Sequence, residues 1–369
     1  MKIALASRST PERIEYDVQT DNDIDRVLWY ETVLGTPPTV PDRLDAALIA
    51  MVPRAMHGGQ DLHVEGPVSW SLLANVEEYI DVWTLWLPDL FRPIAITADH
   101  VVDDRGDGAG NLASRSLFAW SGGVDSTYAL VSNTVDERGH RALPIAAAIQ
   151  VHGFDIPIDD RAEFDGAVAA GSHLLAAYGI DHVAVRTNWH AEMCPDWEMT
   201  FFAGLASVLH HFTDRGATAL VAPANTYDHV RLPWGSNPIS NPLLASSQLS
   251  FLAPGRAQRR YQKCEVIGAV PEVREHLRVC WQAPRLGRNC GQCEKCIRTK
   301  VSFLAAGHGA IEALGPLTQE DLDSMRVTAP VTLDNYEFMV PAVAAHDPEA
   351  AKAVTEMVAR ERARLPLAD

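Results

Sequence analysis

From residue 116 onward the apolar positions fall into two rhythms. Runs 116–120, 143–151, 182–187 and 219–222 are short and largely apolar, as expected of strands buried on both faces. Segments 126–137, 162–178 and 201–212 carry apolar residues at helical spacing. Strand and helix therefore alternate, which predicts an α/β fold with a parallel sheet and helices on both of its faces. Ligands of such sheets bind beyond the carboxyl ends of the strands. The polar residues there are His152 after the second strand, Asn188 and His190 after the third, and Asn225 and Asp228 after the fourth. Each also reads as an ordinary turn or cap residue.

Residues 1–110 have a different texture. Segments 2–6, 13–17 and 92–102 read as strands. Segment 21–34 reads as a helix, with Asp21 or Asn22 as cap and acids in its first turn. A second helix is expected over 41–56, with Pro41 near its first position and Gly58-Gly59 as its stop. A third, over 69–85, is lined by Trp70, Tyr79 and Trp83, a row that suits packing better than ligand binding. This predicts an N-terminal α+β domain with a structural or specificity role. The Gly- and Asp-rich stretch 103–111 is its boundary. A second domain follows over 111–310, and 311–369 is a helical extension ending in a helix over 348–364.

Composition adds bounds. A chain of 369 residues, 47% apolar and 21% charged, has the make-up of a globular protein with room for two domains. Its 31 basic and 48 acidic residues leave a formal charge of −17, which argues against broad binding to nucleic acid or anionic membranes. No apolar run approaches the ~20 residues of a membrane helix. Residues 1–8 lack the apolar core of a signal peptide. Together with the cysteine usage discussed below, this predicts a cytoplasmic protein with no membrane partner. A homodimer is compatible with the sequence.

Two motifs carry chemistry. The first is Ser121-Gly122-Gly123-Val124-Asp125-Ser126, lying between a predicted strand and a predicted helix. Glycines there permit tight bends and close approach of a ligand to the backbone. Amides at a helix start, at the positive end of its dipole, bind phosphate. Ser121 and Ser126 add hydroxyls, and Asp125 adds a carboxylate suited to magnesium. The second motif is Cys280-x9-Cys290-x2-Cys293-x2-Cys296. Its short spacings let the chain curl round one ion. Four thiolates suit zinc in a closed, structural site, and an iron–sulfur cluster is the rival. Cys194 and Cys264 stand apart. Around the second motif, residues 256–300 hold 11 basic and 4 acidic residues. Among them Arg256, Arg259, Arg260, Lys263, Arg298 and Lys300 are candidates to neutralise phosphate. Segment 232–242 has three prolines and one glycine, so it is irregular, a lid or substrate wall with Trp234 as a stacking surface.

Ser-Gly-Gly-x-Asp-Ser after a strand resembles the pyrophosphate loop of the PP-loop ATP pyrophosphatases, over roughly residues 115–305. The cysteine motif, with Arg298 after its last member, narrows the resemblance to 7-cyano-7-deazaguanine synthase. The resemblance implies a PP-loop (HUP-like) domain that adenylates a small-molecule carboxylate with ATP and magnesium, releases pyrophosphate, and passes the acyl group to ammonia or an amine. The product would be an amide or nitrile. Ser121, Gly122, Gly123, Asp125, Ser126 and Arg298 would hold the nucleotide, with Asp125, Ser126 and Lys263 as the catalytic set. His152, Asn225, Asp228 and Trp234 would face the substrate. Asn225 and Asp228 match an Asn-x-x-Asp of the family's relatives. Zinc on Cys280, Cys290, Cys293 and Cys296 would be structural, so its loss is expected to lower yield more than ATP affinity. The chain departs from the family at Val151-His152-Gly153-Phe154 and at 232–236, where the family carries its base-recognising residues, so a substrate other than a deazaguanine is left open. Sulfur transfer through a reactive cysteine such as Cys194 is one alternative, and a non-catalytic nucleotide-binding protein is another.

Overall fold

The structure is a computed structural model of the chain. It describes all residues except 21–24, 107–111, 113, 135–138, 281–286, 329 and 366–369. In chain order the strands are β1 (Lys2–Leu5), β2 (Arg13–Gln19), β3 (Asp25–Leu34), β4 (Leu62–Ser69), β5 (Ile96–Val102), β6 (Ser116–Ala119), β7 (Ile145–His152), β8 (Asp181–Thr187), β9 (Thr218–Leu220) and β10 (Ser250–Leu252). The helices are α1 (Asp45–Gly58), α2 (Trp70–Trp86), α3 (Val124–Thr134), α4 (Arg161–Ala177), α5 (Trp197–His210), α6 (Arg260–Ile267), α7 (Pro271–His276), α8 (Glu294–Ala305), α9 (Gln319–Ser324), α10 (Pro330–His346) and α11 (Pro348–Arg364). The protein is therefore α/β. Among the described residues no helix is long and apolar enough to cross a membrane.

The ten strands form one mixed, mostly parallel sheet in the order β10-β9-β6-β7-β8-β3-β2-β1-β4-β5. The five from β10 to β8 are parallel throughout. β6, β7 and β8 step outwards in one direction, and β9 then pairs on the other side of β6. The strand order thus reverses between β6 and β9. At such a reversal the loops leaving neighbouring strands diverge and open a crevice at their carboxyl ends.

Two expectations are corrected. The helix over 21–34 does not form. Residues 21–24 lie outside the described set, and Asp25–Leu34 is β3, hydrogen-bonded to β2 on one edge and β8 on the other. Val27, Trp29, Tyr30, Thr32 and Val33 favour the extended state. Leu28 and Tyr30, two residues apart, are the buried positions, so the period is that of a strand. Two rows of backbone hydrogen bonds outweigh the acids that resembled a helix start. Secondly, residues 1–110 are not a separate domain. Antiparallel pairing of Tyr30 with Thr187 and Glu31 with Arg186 makes their strands part of the same sheet. β4 was not anticipated, because Gly66 and Pro67 interrupt its alternation where the register with β5 shifts.

By contact the chain divides into two compact units. The first comprises residues 1–121, 139–160 and 179–256 and holds the sheet with α1, α2 and α5. One continuous core runs through it from Ile3 and Tyr16 to Trp83, Leu117, Ile149, Val185, Trp189 and Phe202. The second comprises 122–138, 161–178 and 257–369 and holds α3, α4 and α6–α11. Its core joins Ile297 and Val301 of α8 to Leu333, Tyr336 and Val343 of α10 and Val354 and Met357 of α11.

Candidate functional site

All four residues of β6 are buried, and the Trp120 N–H donates to the Ile149 carbonyl at 2.9 Å, continuing the pairing with β7. The chain then turns through Ser121-Gly122-Gly123 into α3. Gly122 has φ +75°, a left-handed conformation that a side chain would strain. Its carbonyl accepts from the Arg278 N–H at 3.2 Å and the Thr127 hydroxyl at 3.4 Å. The Gly123 carbonyl accepts from the Thr127 N–H at 2.8 Å and the Ser126 hydroxyl at 3.1 Å. Ser126 is thus a buried residue bonded back onto the turn. The first-turn amides of α3 follow the glycines directly, and a helix offers such amides to acceptors outside itself.

Asp125, in the first turn of α3, sits between two cations. The Lys263 ammonium donates to its Oδ1 at 2.6 Å, and the Arg260 guanidinium to its Oδ2 at 3.1 Å. Arg260 also donates to the Thr299 hydroxyl at 3.0 Å. Burial favours the neutral acid, but Lys263 and Arg260, with Arg298 beyond them, prevail and hold the Asp125 carboxyl below its ordinary pKa. The Lys263 side chain is only 4% exposed. Arg298 pairs with Glu294 at 3.3 Å. Among the described residues the buried Nε atoms of Arg260 and Arg278 meet no hydrogen-bond acceptor. One carboxylate against Lys263 and Arg260 leaves a surplus positive charge beside the helix start, an arrangement that attracts anions. Of six basic residues expected near phosphate, these three, Arg260, Lys263 and Arg298, gather at Asp125. Arg256 reaches the Asn225 carbonyl at 3.4 Å, Arg259 covers the Phe338 ring at 4.1 Å, and Lys300 pairs with Asp321 at 2.9 Å.

The strand ends are less uniform. His152 is fully buried; its Nε2 meets the Pro157 carbonyl at 2.8 Å and its Nδ1 accepts from Arg186 at 3.2 Å. With both ring nitrogens engaged inside the fold, His152 is a packing residue, and its expected role at the substrate is withdrawn. Asn188 pins β3, accepting from the Trp29 N–H at 3.0 Å and donating to the Val27 carbonyl at 2.8 Å. Asn225 is half-buried, and Asp228 is exposed beside His229 at 3.2 Å. Segment 232–242 is irregular, as its prolines require, but it is no loose lid. Asn237 accepts from the Ile239 and Ser240 amides and donates to the Trp234 carbonyl, and Asn241 accepts from the Asn237 amide. One face of Trp234 carries Arg231 at 4.5 Å, and its ring meets Phe201 edge-on. Phe201 in turn touches Trp197, which stacks on His190 at 4.1 Å and contacts Phe154. The sequence reading missed Trp197 and Phe201. Their only local signal was helical spacing at the start of α5, the same as that of core residues.

The four clustered cysteines do come together. Their sulfurs lie within 4.8 Å of one another, the one such group among the described residues. Cys280 and Cys293 are 3.7 Å apart, and Cys290 and Cys296 are 3.9 Å apart. Four thiolates at about 2.3 Å from a zinc ion would stand about 3.8 Å apart, so the spacing suits that ion. Gly291 turns the chain at φ +78°, and the amides of Gln292 and Cys293 point at the Cys290 sulfur at 3.5 and 3.2 Å. Cys293 is also the N-cap of α8, where the helix dipole favours a thiolate. Hydrogen bonding from Cys296 leads in pulling the Cys293 thiol down to about 5, while the same contact raises Cys296 far above its usual range. Cys194 and Cys264 lie outside the cluster. Burial raises both thiols, Cys264 to about 12.

No family model, curated protein or solved structure matches this chain.

Proposed function

We propose that this protein is an ATP-dependent ligase of the PP-loop type. The observation that carries the reading is Asp125, held between Lys263 and Arg260 in the first turn of the helix that follows the Ser-Gly-Gly turn. Further support comes from Ser121, which follows β6, one of the two strands at which the strand order reverses. In this reading a substrate carboxylate oxygen attacks the α-phosphorus of ATP. The bond from that phosphorus to the bridging oxygen breaks, and pyrophosphate leaves. Ammonia or an amine then attacks the acyl carbon, and AMP departs to give the amide. Where ammonia is the donor, a second ATP would adenylate the oxygen of the primary amide, and departure of AMP with that oxygen and of the two N–H protons would give a nitrile.

The amides after Gly122 and the Ser121 hydroxyl would bind the phosphates. Lys263, Arg260 and Arg298 would balance charge on the leaving pyrophosphate, where such compensation counts most. Asp125 would hand its lysine to the phosphates and hold magnesium, which, when bound, shields the negative oxygens. Asn225, Asp228 and Trp234 are the candidates for substrate contacts. Zinc at the four cysteines would be structural, because a site with four protein ligands has no open position. Sulfur transfer is the weaker reading, since the raised Cys194 thiol, bonded to Thr200 at 3.3 Å, is a poor nucleophile. A pyrophosphate-release screen over carboxylates, 7-carboxy-7-deazaguanine included, tests the proposal. Mass spectrometry of the product should show oxygen lost and nitrogen gained. ATP binding without turnover on any acid would leave a nucleotide-binding protein instead.

A further inference from the structure

The cysteine centre and the glycine turn meet through three consecutive residues of the second unit, Arg278, Val279 and Cys280. Cys280 supplies a sulfur to the centre. Two residues earlier, the Arg278 main-chain N–H donates to the Gly122 carbonyl at 3.2 Å. The stretch between is clamped by one side chain. The Asn289 carbonyl oxygen accepts from the Val279 amide at 2.8 Å and the Cys280 amide at 3.1 Å. The Asn289 amide donates to the carbonyls of Leu277 at 2.7 Å and Ala313 at 2.9 Å. Asn289 immediately precedes the next cysteine of the centre, Cys290. A second brace comes from α4. Buried Glu163 accepts from the Arg278 guanidinium at 2.7 Å and, with its other oxygen, from the Gly287 amide at 2.9 Å. Gly287 has φ +80°, and a Cβ there would meet the backbone of Gly166 at 2.2 Å, so no side chain fits.

The Gly122 carbonyl and the Gly123 N–H belong to one planar trans peptide unit, so holding the carbonyl on one side directs the N–H to the other. A glycine pair has little side-chain packing to hold that plane, so hydrogen bonds hold it, from the Thr127 hydroxyl of α3 at 3.4 Å and from the Arg278 amide outside that helix at 3.2 Å. We propose that the metal centre sets the orientation of the Gly122–Gly123 peptide, with Arg278 and Asn289 as the positioning residues of the link, and so tunes phosphate binding at the turn. The phosphate part of this inference rests on the function proposed above; the link itself does not. It departs from the expectation that metal loss would touch nucleotide affinity only weakly, because four thiolates freed of their ion no longer fix Cys280 and the residues before it.

The test combines amide hydrogen exchange with binding. Full-length zinc-loaded protein is compared with chelator-treated protein and with zinc-loaded Asn289→Ala and Asn289→Asp, zinc content being measured in each. Exchange at residues 122–127 should quicken roughly tenfold on zinc loss and in Asn289→Ala, a change within the usual range of site-to-site coupling. Exchange in β1 and β2 should stay unchanged. Asn289→Asp keeps an acceptor for the two amides and should restore part of the protection. Magnesium-ATP affinity should fall by a similar factor. Unchanged exchange at the turn in Asn289→Ala and in folded, zinc-free protein would overturn the link. If chelation unfolds the chain, β1 and β2 exchange as well, and the zinc-loaded Asn289 variants decide. Exchange that responds to zinc in a protein that never binds ATP would uphold the link and sink the proposed function alone.

Discussion

Lys263 and Lys300 are both buried, both helical and both paired with an aspartate, yet their surroundings give them opposite uses. Lys300, on α8, pairs with Asp321 at 2.9 Å, and that carboxylate also accepts from the Thr318 amide at the start of α9. The two charges balance each other, and the pair ties two helices together. Lys263, on α6, shares Asp125 with Arg260, and the Asp125 side chain is 31% exposed. That group carries surplus positive charge and has one open side. A buried ion pair is weak evidence for function, because desolvation offsets much of its attraction. A group with more cations than carboxylates next to a glycine turn is stronger evidence, because such an excess attracts anions.

The largest effect should come from the scaffold of that region. In small zinc domains the bound ion supplies about 10–16 kcal/mol of folding energy. Cys293→Ser should therefore weaken zinc binding and lower the solubility, thermal stability and yield of the protein. Elemental analysis of anaerobically purified wild-type protein should find one zinc per chain. About four irons with matching sulfide, and a brown colour, would replace the zinc assignment with an iron–sulfur cluster and return sulfur transfer to first place.

Next come the two lysines themselves. Lys300→Met strands the buried Asp321 carboxylate and should cost about 3–5 kcal/mol of stability by denaturant titration. Pyrophosphate release per folded molecule should be preserved. Lys263→Met should do the reverse: Asp125 keeps Arg260, so stability falls less, while pyrophosphate release drops about 100-fold, close to 3 kcal/mol of barrier. Asp125→Ala and Ser121→Ala should nearly abolish release. If Lys263→Met and Lys300→Met lowered stability and activity in the same proportion, the contrast between the two sites would be void.

A gradual effect, smaller at each residue, separates the regions by pH. Burial depresses the His182, His210 and His211 imidazoles of the first unit to about 4. The unfolded chain binds protons near 6.5, so between these values it holds more protons than the native protein. Stability is then complete above about pH 6.5 and falls, by about 3 kcal/mol at most for each histidine, as the pH drops towards 4. Asp125, with its lowered pKa, stays ionised across this window. Activity per folded molecule should consequently lose nothing to protonation of Asp125 there. A stability curve flat from pH 7 to pH 5 would show that these histidines are not buried as described.

Much was legible in the residues alone. The run from 116 to 222 announced its strands and helices because each lies within a window of about ten residues and its period is local. The spacing of Cys290, Cys293 and Cys296 is likewise a local property, since the seven residues from the first to the last can wrap one ion. The Ser-Gly-Gly turn announced itself because its glycine requirement is set by its own backbone. Tertiary structure decided the rest. Whether 25–34 is helix or strand depended on β2 and β8, one of them over 140 residues further on, offering edges to both of its sides. His152 looked available after its strand until Arg186 and Pro157 closed on it. Asp125 gained its meaning from Lys263, 138 residues away, and Gly122 from an amide at Arg278. A chain fixes its periods residue by residue, but a charge or a peptide plane takes its role from whichever distant group folding brings within about 3 Å.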